Sequence, residues 1–252
     1  MLGLPDAVTA CLFDMDGVVT KTAVVHAAAW KEMFDEFLRA WSAKNGTEFV
    51  PFDPGRDYDE YVDGKPRLEG TKSFLAARKI SLPPGSPSDP PGAQTVWGLS
   101  NRKNDLVLKV LARDGVEIYE GSRRYIDAVR AAGLRTAIVS SSANTAQVLA
   151  AAGISDLFDV RVDAHVAQER GLRGKPAPDT FLEAARMLGV PATAATVFED
   201  ALAGVAAGRA GGFGFVVGVD RVGQADELRA HGADVVVKDL ADLLLHVGRR
   251  FP

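Results

Sequence analysis

The chain has 252 residues, of which 47% are hydrophobic and 25% charged, and its 29 basic and 33 acidic side chains leave a net charge of −4. A disordered, collagen-like or mucin-like protein is excluded, because the apolar content is high enough to offset the entropy cost of ordering the chain. No strongly basic face is implied, so we expect no nucleic-acid partner. The first predicted element is a buried strand over residues 7–13, an apolar run that stops abruptly at Asp14.

The stretch from residue 21 to residue 118 has a different pattern of apolar and polar residues. It opens with a long helical pattern, in which large apolar side chains recur at three- and four-residue spacing between Trp30 and Trp41. The pattern then predicts a segment rich in Pro, Gly and Asp and two shorter helices, at residues 50–67, 71–79 and 100–112. Because no convincing buried strand occurs here, we predict an inserted, mostly helical domain.

The stretch from residue 119 to residue 252 alternates between strands and helices. Strands are predicted at residues 135–139, 158–162, 194–198, 215–219 and 234–237. The intervening helices are predicted at residues 123–132, 144–152, 178–188 and 202–210, with two more near the C-terminus. This alternation predicts an α/β fold with a Rossmann-like, doubly wound parallel sheet and right-handed crossovers. The catalytic core is therefore expected at residues 1–20 and 119–252, and the inserted domain at 21–118.

The sequence also gives expectations about location. The N-terminal segment lacks the pattern of a signal peptide, and no run of about 18 apolar residues predicts a membrane span. The single cysteine, Cys11, lies in an apolar run and cannot form an internal disulfide. We therefore expect a cytoplasmic protein with no membrane partner, and we expect it to be a monomer.

Polar clusters follow the predicted strands at the points where those strands end. The clusters are Asp14 with Asp16, the serines Ser140 and Ser141, the pair Glu199 and Asp200, and Lys175 in a loop before a helix. Because parallel strands end at one edge of the sheet, these side chains are expected to converge in one crevice. Taken singly, the acidic and serine clusters could instead cap a helix or form a turn, and Lys175 could be a solvated loop lysine. A calcium loop is excluded, since its twelfth position would be Val25 instead of a bidentate glutamate.

The residue types in this crevice predict phosphoryl transfer. Clustered carboxylates repel one another and are costly to bury, unless they hold a hard cation such as Mg²⁺. A carboxylate beside that ion can attack phosphorus and form an aspartyl-phosphate. Lys175, Ser140 and backbone N–H groups would hold the phosphoryl oxygens, and a second carboxylate two residues after the first can move the proton.

Four strings of the sequence resemble the four motifs of the haloacid dehalogenase superfamily, in the same order. They are residues 13–18, 139–141, 174–179 and 198–201, and the insertion after the first resembles that family's helical cap. The resemblance implies that Asp14 is the nucleophile and Asp16 the general acid and base. It also implies that Asp14, Asp16 through its carbonyl, Glu199 and Asp200 hold Mg²⁺, and that Ser140, Ser141 and Lys175 bind the phosphate.

Within that superfamily the chain is similar to the β-phosphoglucomutase-like subgroup. The similarity lies in residues 22–31, 62–67 and 101–105, and it implies substrate or cap roles for Thr22, His26, Arg67, Lys103 and Asn144. The implied reaction converts β-glucose 1-phosphate to glucose 6-phosphate through β-glucose 1,6-bisphosphate, with a small phosphorylated sugar as the only partner. The chain departs from the subgroup at Lys21, where an aspartate is usual, and in a proline-dense loop at 82–91.

Two other functions share most of these residues. A sugar-phosphate phosphatase of the same superfamily would have the same core, and would differ in whether water reaches the aspartyl-phosphate before a sugar hydroxyl does. A catalytically inactive interaction module is the second alternative, and the intact acidic cluster and Lys175 speak against it.

Overall fold

The structure is a computed structural model, and it describes residues 2–245. The chain forms two compact units, one made by the chain up to Lys21 and from Val116 onward, the other by Thr22–Gly115. The sequence places the boundaries after residues 20 and 118. Whether the two units behave as independent domains stays a prediction.

The described residues form ten α-helices and six strands. The helices are α1 (Ala23–Asn45), α2 (Arg67–Ala77), α3 (Val96–Asp114), α4 (Glu120–Ala131), α5 (Thr145–Ala151), α6 (Ala164–Arg170), α7 (Asp179–Leu188), α8 (Leu202–Ala210), α9 (Ala225–Ala230) and α10 (Asp242–Leu245). The strands are β1 (Ala10–Phe13), β2 (Arg135–Val139), β3 (Val160–Val162), β4 (Ala195–Glu199), β5 (Phe215–Val219) and β6 (Val235–Val237). None of the helices in this part of the chain is long and apolar enough to cross a bilayer.

All six strands lie in one parallel sheet with the order β3-β2-β1-β4-β5-β6. The strand order reverses direction between β1 and β4, which is the switch point where doubly wound sheets bind ligands. The predicted α/β, Rossmann-like parallel fold is therefore confirmed.

The central strands β1 and β4 are buried along their whole length because helices cover both faces of the sheet. Every residue of β1 is buried, and in the register of the sheet Phe13 lies between Ile138 of β2 and Phe198 of β4. The rings of Phe13 and Phe198 stack with centroids 4.5 Å apart. Acidic residues stand at the ends of both strands, since Asp14 follows β1 directly and Glu199 is the last residue of β4.

The second unit is helical, as predicted, and is built around aromatic side chains. The ring of Phe34 lies 5.3 Å from that of Trp30 and 4.1 Å from that of Phe74. The buried Asp35 accepts a 2.8 Å hydrogen bond from the backbone N–H of Phe52, which fastens the following segment to α1. The aromatic stripe on α1 is therefore the core of this unit.

Several elements differ from the prediction. Helices α2 and α3 each begin four residues before their predicted starts at residues 71 and 100, and some short elements were not predicted. Helix α6 was not predicted, because it has seven residues and buries none of them. Its only sequence signal is the cap Asp163, whose carboxylate accepts from the N–H groups of His165 and Val166. A short π-helical turn, Tyr58–Val62, also lies in the segment that reads as a Pro-, Gly- and Asp-rich loop.

Candidate active site

Three carboxylates meet at the carboxyl edge of the two middle strands. Asp14 follows β1 directly, and its backbone N–H donates to the Phe198 carbonyl at 2.9 Å. Glu199 is the last residue of β4, and Asp200 follows it. All three residues are buried, and one oxygen of each lies within 4.8 Å of the others. The structure thus brings together three of the four residues expected to hold a metal.

Lys175 lies among these carboxylates and is itself buried. Its Nζ forms ion pairs with Asp14 and, at 2.5 Å, with Oε1 of Glu199, and it donates to the Val139 carbonyl at 3.3 Å. The Lys175–Pro176 peptide bond is cis. Burial alone would lower the pKa of Lys175, but the charges of Asp14 and Glu199 outweigh it and hold the pKa above its usual range. The ammonium therefore remains charged.

The cluster carries more negative than positive charge. Burial raises the pKa of Asp14 well above its usual range; Lys175 opposes this shift, while Glu199 and Asp16 add to it. One ammonium does not balance three buried carboxylates, and oxygen ligands are those that Mg²⁺ prefers. The residues present therefore fit a hard divalent cation.

Asp16 and Ser140 form the polar wall next to the cluster. Asp16 is half-buried, and the Ser140 hydroxyl donates to its Oδ2 at 3.4 Å. The same hydroxyl accepts from the Ser142 backbone N–H at 3.1 Å. The Asp16 carboxylate is not part of the triplet that shares the short oxygen spacings, which agrees with its backbone carbonyl being the expected ligand.

The other expected residues of the core lie in the loop that follows β2. Ser141 and Asn144 are half-buried in this loop, and the Asn144 N–H donates to the Ser142 hydroxyl at 3.1 Å. The Thr145 hydroxyl closes the turn by donating to the Ser142 carbonyl at 2.9 Å. A loop held in this way presents both backbone N–H groups and hydroxyls, which is the donor type that a phosphate needs.

Two glycines allow the backbone to approach the acidic cluster. Gly17 has a φ of 87°, and a Cβ built there would overlap the Asp200 carboxylate. Gly204 lies in α8, and a Cβ there would overlap the Glu199 carboxylate. Only glycine fits at either position without displacing an expected metal ligand.

Three of the expected substrate residues come together in the helical unit. Thr22 precedes α1, and its carbonyl accepts from the His26 N–H at 3.0 Å. His26 Nδ1 lies 2.8 Å from Nζ of Lys103, which is buried and lies 4.8 Å from the ring centroid of Trp30. This ammonium is thus held by an imidazole and an aromatic face.

Arg67, the fourth expected residue of this unit, is the first residue of α2. Its Nη2 donates to Oδ1 of Asn101 at 3.3 Å. The Asn101 amide in turn donates to the carbonyls of Pro87 and Asp89, at 3.1 and 2.8 Å. Burial lowers the pKa of Arg67 below its usual value. The proline-dense loop is therefore tied, through Asn101, to the arginine expected to bind phosphate.

Sequence reasoning missed two residues at the edge of the core sheet. Arg221 donates to the Gly17 carbonyl at 2.7 Å, and Gln224 donates to the Asp200 carbonyl at 3.0 Å. Their position just after β5 was the available signal, because that loop lies at the same edge of the sheet as Asp14 and Asp200.

A sheet with this switch point and this acidic cluster defines an α/β enzyme suited to phosphoryl transfer. The model of the haloacid dehalogenase-like hydrolase family matches residues 8–212, and the chain belongs to this family. It is an enzyme of that family, and the resemblance inferred from the four motifs is confirmed.

The relatives give the comparison more detail. The chain is 58% identical to the β-phosphoglucomutases of Mycobacterium bovis and Mycobacterium tuberculosis over 247 residues, which are 97% of this chain and 94% of each relative. The crystal structure of β-phosphoglucomutase from Clostridium difficile superposes with a TM-score of 0.71 at 26% identity, covering 94% of this chain and 93% of that one. The similarity therefore spans both units.

Proposed function

We propose that this protein is a Mg²⁺-dependent β-phosphoglucomutase that interconverts β-glucose 1-phosphate and glucose 6-phosphate. The observation that carries the reaction class is the buried cluster of Asp14, Lys175, Glu199 and Asp200 at the switch point of the sheet. The 58% identity to curated β-phosphoglucomutases over nearly the whole chain supports this particular reaction. The phosphorylated sugar is the proposed partner.

Asp14 is the proposed nucleophile. The buried ammonium of Lys175 pairs with its carboxylate and opposes the rise in its pKa, which favours the ionised form that attack requires. Attack on phosphorus forms the bond from the Asp14 carboxylate and breaks the bond to the sugar oxygen, so an aspartyl-phosphate results. Mg²⁺, held by Asp14, Glu199, Asp200 and the Asp16 carbonyl, would neutralise charge on the carboxylates and the phosphoryl group.

Two transfers complete the proposed cycle. The aspartyl-phosphate passes its phosphoryl group to O6 of β-glucose 1-phosphate, which gives β-glucose 1,6-bisphosphate. Asp14 then takes the phosphoryl group from the C1 oxygen, and glucose 6-phosphate leaves. Asp16 removes the proton from O6 in the first transfer and returns it to the C1 oxygen in the second. Ser140, Ser141 and Lys175 hold the group in transfer.

The bisphosphate has a second phosphate that must also be bound. Arg67 offers a planar fork of donors of the kind that suits a phosphate, and Asn144 offers an amide. We assign sugar and phosphate recognition to Thr22, His26 and Lys103 as well, because His26 contacts the buried Lys103 ammonium and Thr22 lies one helical turn before His26.

A sugar-phosphate phosphatase is the second candidate, and the name of the matching family, which is that of hydrolases, favours it. The core chemistry is the same up to the aspartyl-phosphate, which water then hydrolyses. The inactive module has no comparable support, because the nucleophile, the lysine and the acidic residues are all present. The cytoplasmic location and the monomeric state stay predictions.

The test measures two products in one reaction. The full chain is incubated with β-glucose 1-phosphate, Mg²⁺ and a trace of β-glucose 1,6-bisphosphate, and glucose 6-phosphate and inorganic phosphate are followed together. A large excess of glucose 6-phosphate supports the mutase, whereas equal release of phosphate and glucose supports the phosphatase. Chelation with EDTA should abolish both products and added Mg²⁺ should restore them; full activity after chelation contradicts the metal site.

A further inference from the structure

The loop after β5, residues 220–224, is a closed turn at the edge of the core sheet. Oδ1 of Asp220 accepts from the backbone N–H groups of Gly223 and Gln224, at 2.6 and 2.8 Å. The Asp220 N–H donates to the Val237 carbonyl at 2.8 Å, which joins the loop to the end of β6. The side chains that leave this turn therefore start from a fixed backbone.

Arg221 reaches from this turn to the segment that carries Asp14 and Asp16. Its Nε donates to the Gly17 carbonyl at 2.7 Å, and its Nη1 donates to the Lys238 carbonyl at 2.8 Å. The guanidinium carbon lies 3.6 Å from the ring centroid of Tyr119, and the side chain is only 15% exposed. A rigid fork held by two carbonyls and a ring has little freedom to move, so the Gly17 peptide is held as well.

Gln224 reaches from the same turn to the other acidic segment. Its Nε2 donates to the Asp200 carbonyl at 3.0 Å. The two segments also touch each other, since a Cβ on Gly17 would overlap the Asp200 carboxylate. One loop thus holds the backbone of both segments, at Gly17 and at Asp200.

We infer that Arg221 and Gln224 are positioning residues for the Mg²⁺ site, which fix the spacing between the turn after Asp14 and the turn at Asp200. The negative charges of the acidic cluster explain why such support is needed. The buried carboxylates repel one another before a cation arrives, and a braced backbone prevents them from moving apart. Both side chains would act through the backbone carbonyls of Gly17 and Asp200. The inference rests on the proposed function, in which Asp14, Glu199 and Asp200 are metal ligands.

Metal binding by the full chain tests this inference without any catalysis. Mg²⁺ dissociation constants are measured by calorimetry for the wild type, Arg221→Ala, Arg221→Lys and Gln224→Ala. We expect both alanine variants to bind Mg²⁺ about ten-fold more weakly, as is typical when a group that supports the ligands is removed. Arg221→Lys should fall in between, because one ammonium cannot reproduce the planar fork.

Two exposed side chains of the same unit serve as matched controls. Arg209 is 60% exposed and pairs with Asp234, and Gln168 is exposed on α6. Arg209→Ala and Gln168→Ala should bind Mg²⁺ as the wild type does. Thermal unfolding without metal separates a positioning role from a structural one. If the alanine variants unfold at a lower temperature but keep the wild-type Mg²⁺ affinity, the contacts of Arg221 and Gln224 are only structural. The inference is then overturned.

The proposed function and this inference fail in different ways. If the wild type does not bind Mg²⁺, the metal site itself is wrong and both are overturned. If the wild type binds and all three variants bind equally well, only the inference is overturned. Should Arg221→Ala fail to fold, Gln224→Ala and Arg221→Lys still decide, because each is a smaller change than the loss of the whole arginine side chain.

Discussion

Asp14 is the residue at which burial and charge conflict most strongly. Its carboxylate is buried, faces two other acidic side chains, and has one compensating ammonium in Lys175. Such an arrangement costs stability and is typical of a functional site. Asp14 directly follows Phe13, which pairs with Ile138 and Phe198 in the sheet, so the sheet itself positions the proposed nucleophile.

Replacing Asp14 by asparagine should abolish turnover and leave the fold intact. The amide has nearly the same shape, but it cannot form the aspartyl-phosphate, so the rate should fall by at least ~10³. Asp6→Asn, at an exposed position, is the matched control and should be fully active. Circular dichroism checks the fold. Residual activity above about a tenth of wild type in the folded variant would show that Asp14 is not the nucleophile.

Asp16 should behave differently from Asp14 because its carboxylate lies outside the triplet with the short oxygen spacings. Asp16→Asn should still bind Mg²⁺ through the unchanged backbone carbonyl. The loss of proton transfer should lower the rate by roughly 10²–10⁴-fold. The loss should be largest for substrates with poor leaving groups. Rates on glucose 1,6-bisphosphate and on an activated aryl phosphate check this, and equal slowing of both would contradict the acid–base role.

Helix α8 shows how an element beside the site is shaped by it. Gly204 faces the Glu199 carboxylate, and Glu199 Oε2 accepts from the Ala201 N–H at 3.1 Å, so the start of the helix and the acidic residue are fixed together. A glycine inside a helix costs about 1 kcal/mol relative to alanine. The helix therefore gives up stability in order to approach the cluster closely.

Replacing Gly204 by alanine should destabilise the protein despite the better helix propensity. The new methyl group would overlap the Glu199 carboxylate, and overpacking of this kind costs about 1–3 kcal/mol. Mg²⁺ affinity should fall as well, since the carboxylate must move. Urea unfolding and a Mg²⁺ titration measure the two effects.

Gly208→Ala is the control in the same helix. It gains the same helix propensity, but its Cβ meets methyl groups of Val197 and Val216 at 3.2 Å, which can shift slightly. It should change stability less than Gly204→Ala does and leave Mg²⁺ affinity unaltered. A Gly204→Ala variant as stable as this control would show that α8 does not constrain Glu199.

The elements also show what the sequence could predict. β2, β5 and α8 have the predicted bounds, because apolar runs and helical periodicity end there at clear polar or glycine signals. Helix α6 was missed because it buries no residue and so leaves no periodic pattern. Arg221 was missed for a different reason: the carbonyl it holds lies 204 residues away in the chain, and only the order of the strands brings the two together.

At the scale of the whole molecule, the two units carry different parts of the proposed chemistry. The sheet unit has its own core and holds the acidic cluster, whereas the helical unit has a separate aromatic core and holds Arg67 and Lys103. The hydrolysis of a small phosphate needs only the first set of residues. A mutase must also retain a bisphosphate whose second phosphate is not reacting, and we propose that Arg67 binds this phosphate.

Arg67→Ala should therefore separate the two activities. We expect glucose 6-phosphate formation and the affinity for glucose 1,6-bisphosphate to fall strongly, by about 10–100-fold for the loss of a charge-assisted contact of roughly 1.5–3 kcal/mol. Slow hydrolysis of acetyl phosphate should persist, because Asp14 and Lys175 are untouched. Arg67→Lys should recover only part of the mutase rate, since an ammonium cannot form the bidentate pair.

Arg56, 77% exposed in the same unit, gives the control Arg56→Ala, which should retain full mutase activity. Unchanged mutase turnover and bisphosphate affinity in Arg67→Ala would remove the second phosphate site from this unit, and the sugar-phosphate phosphatase would then be the better assignment.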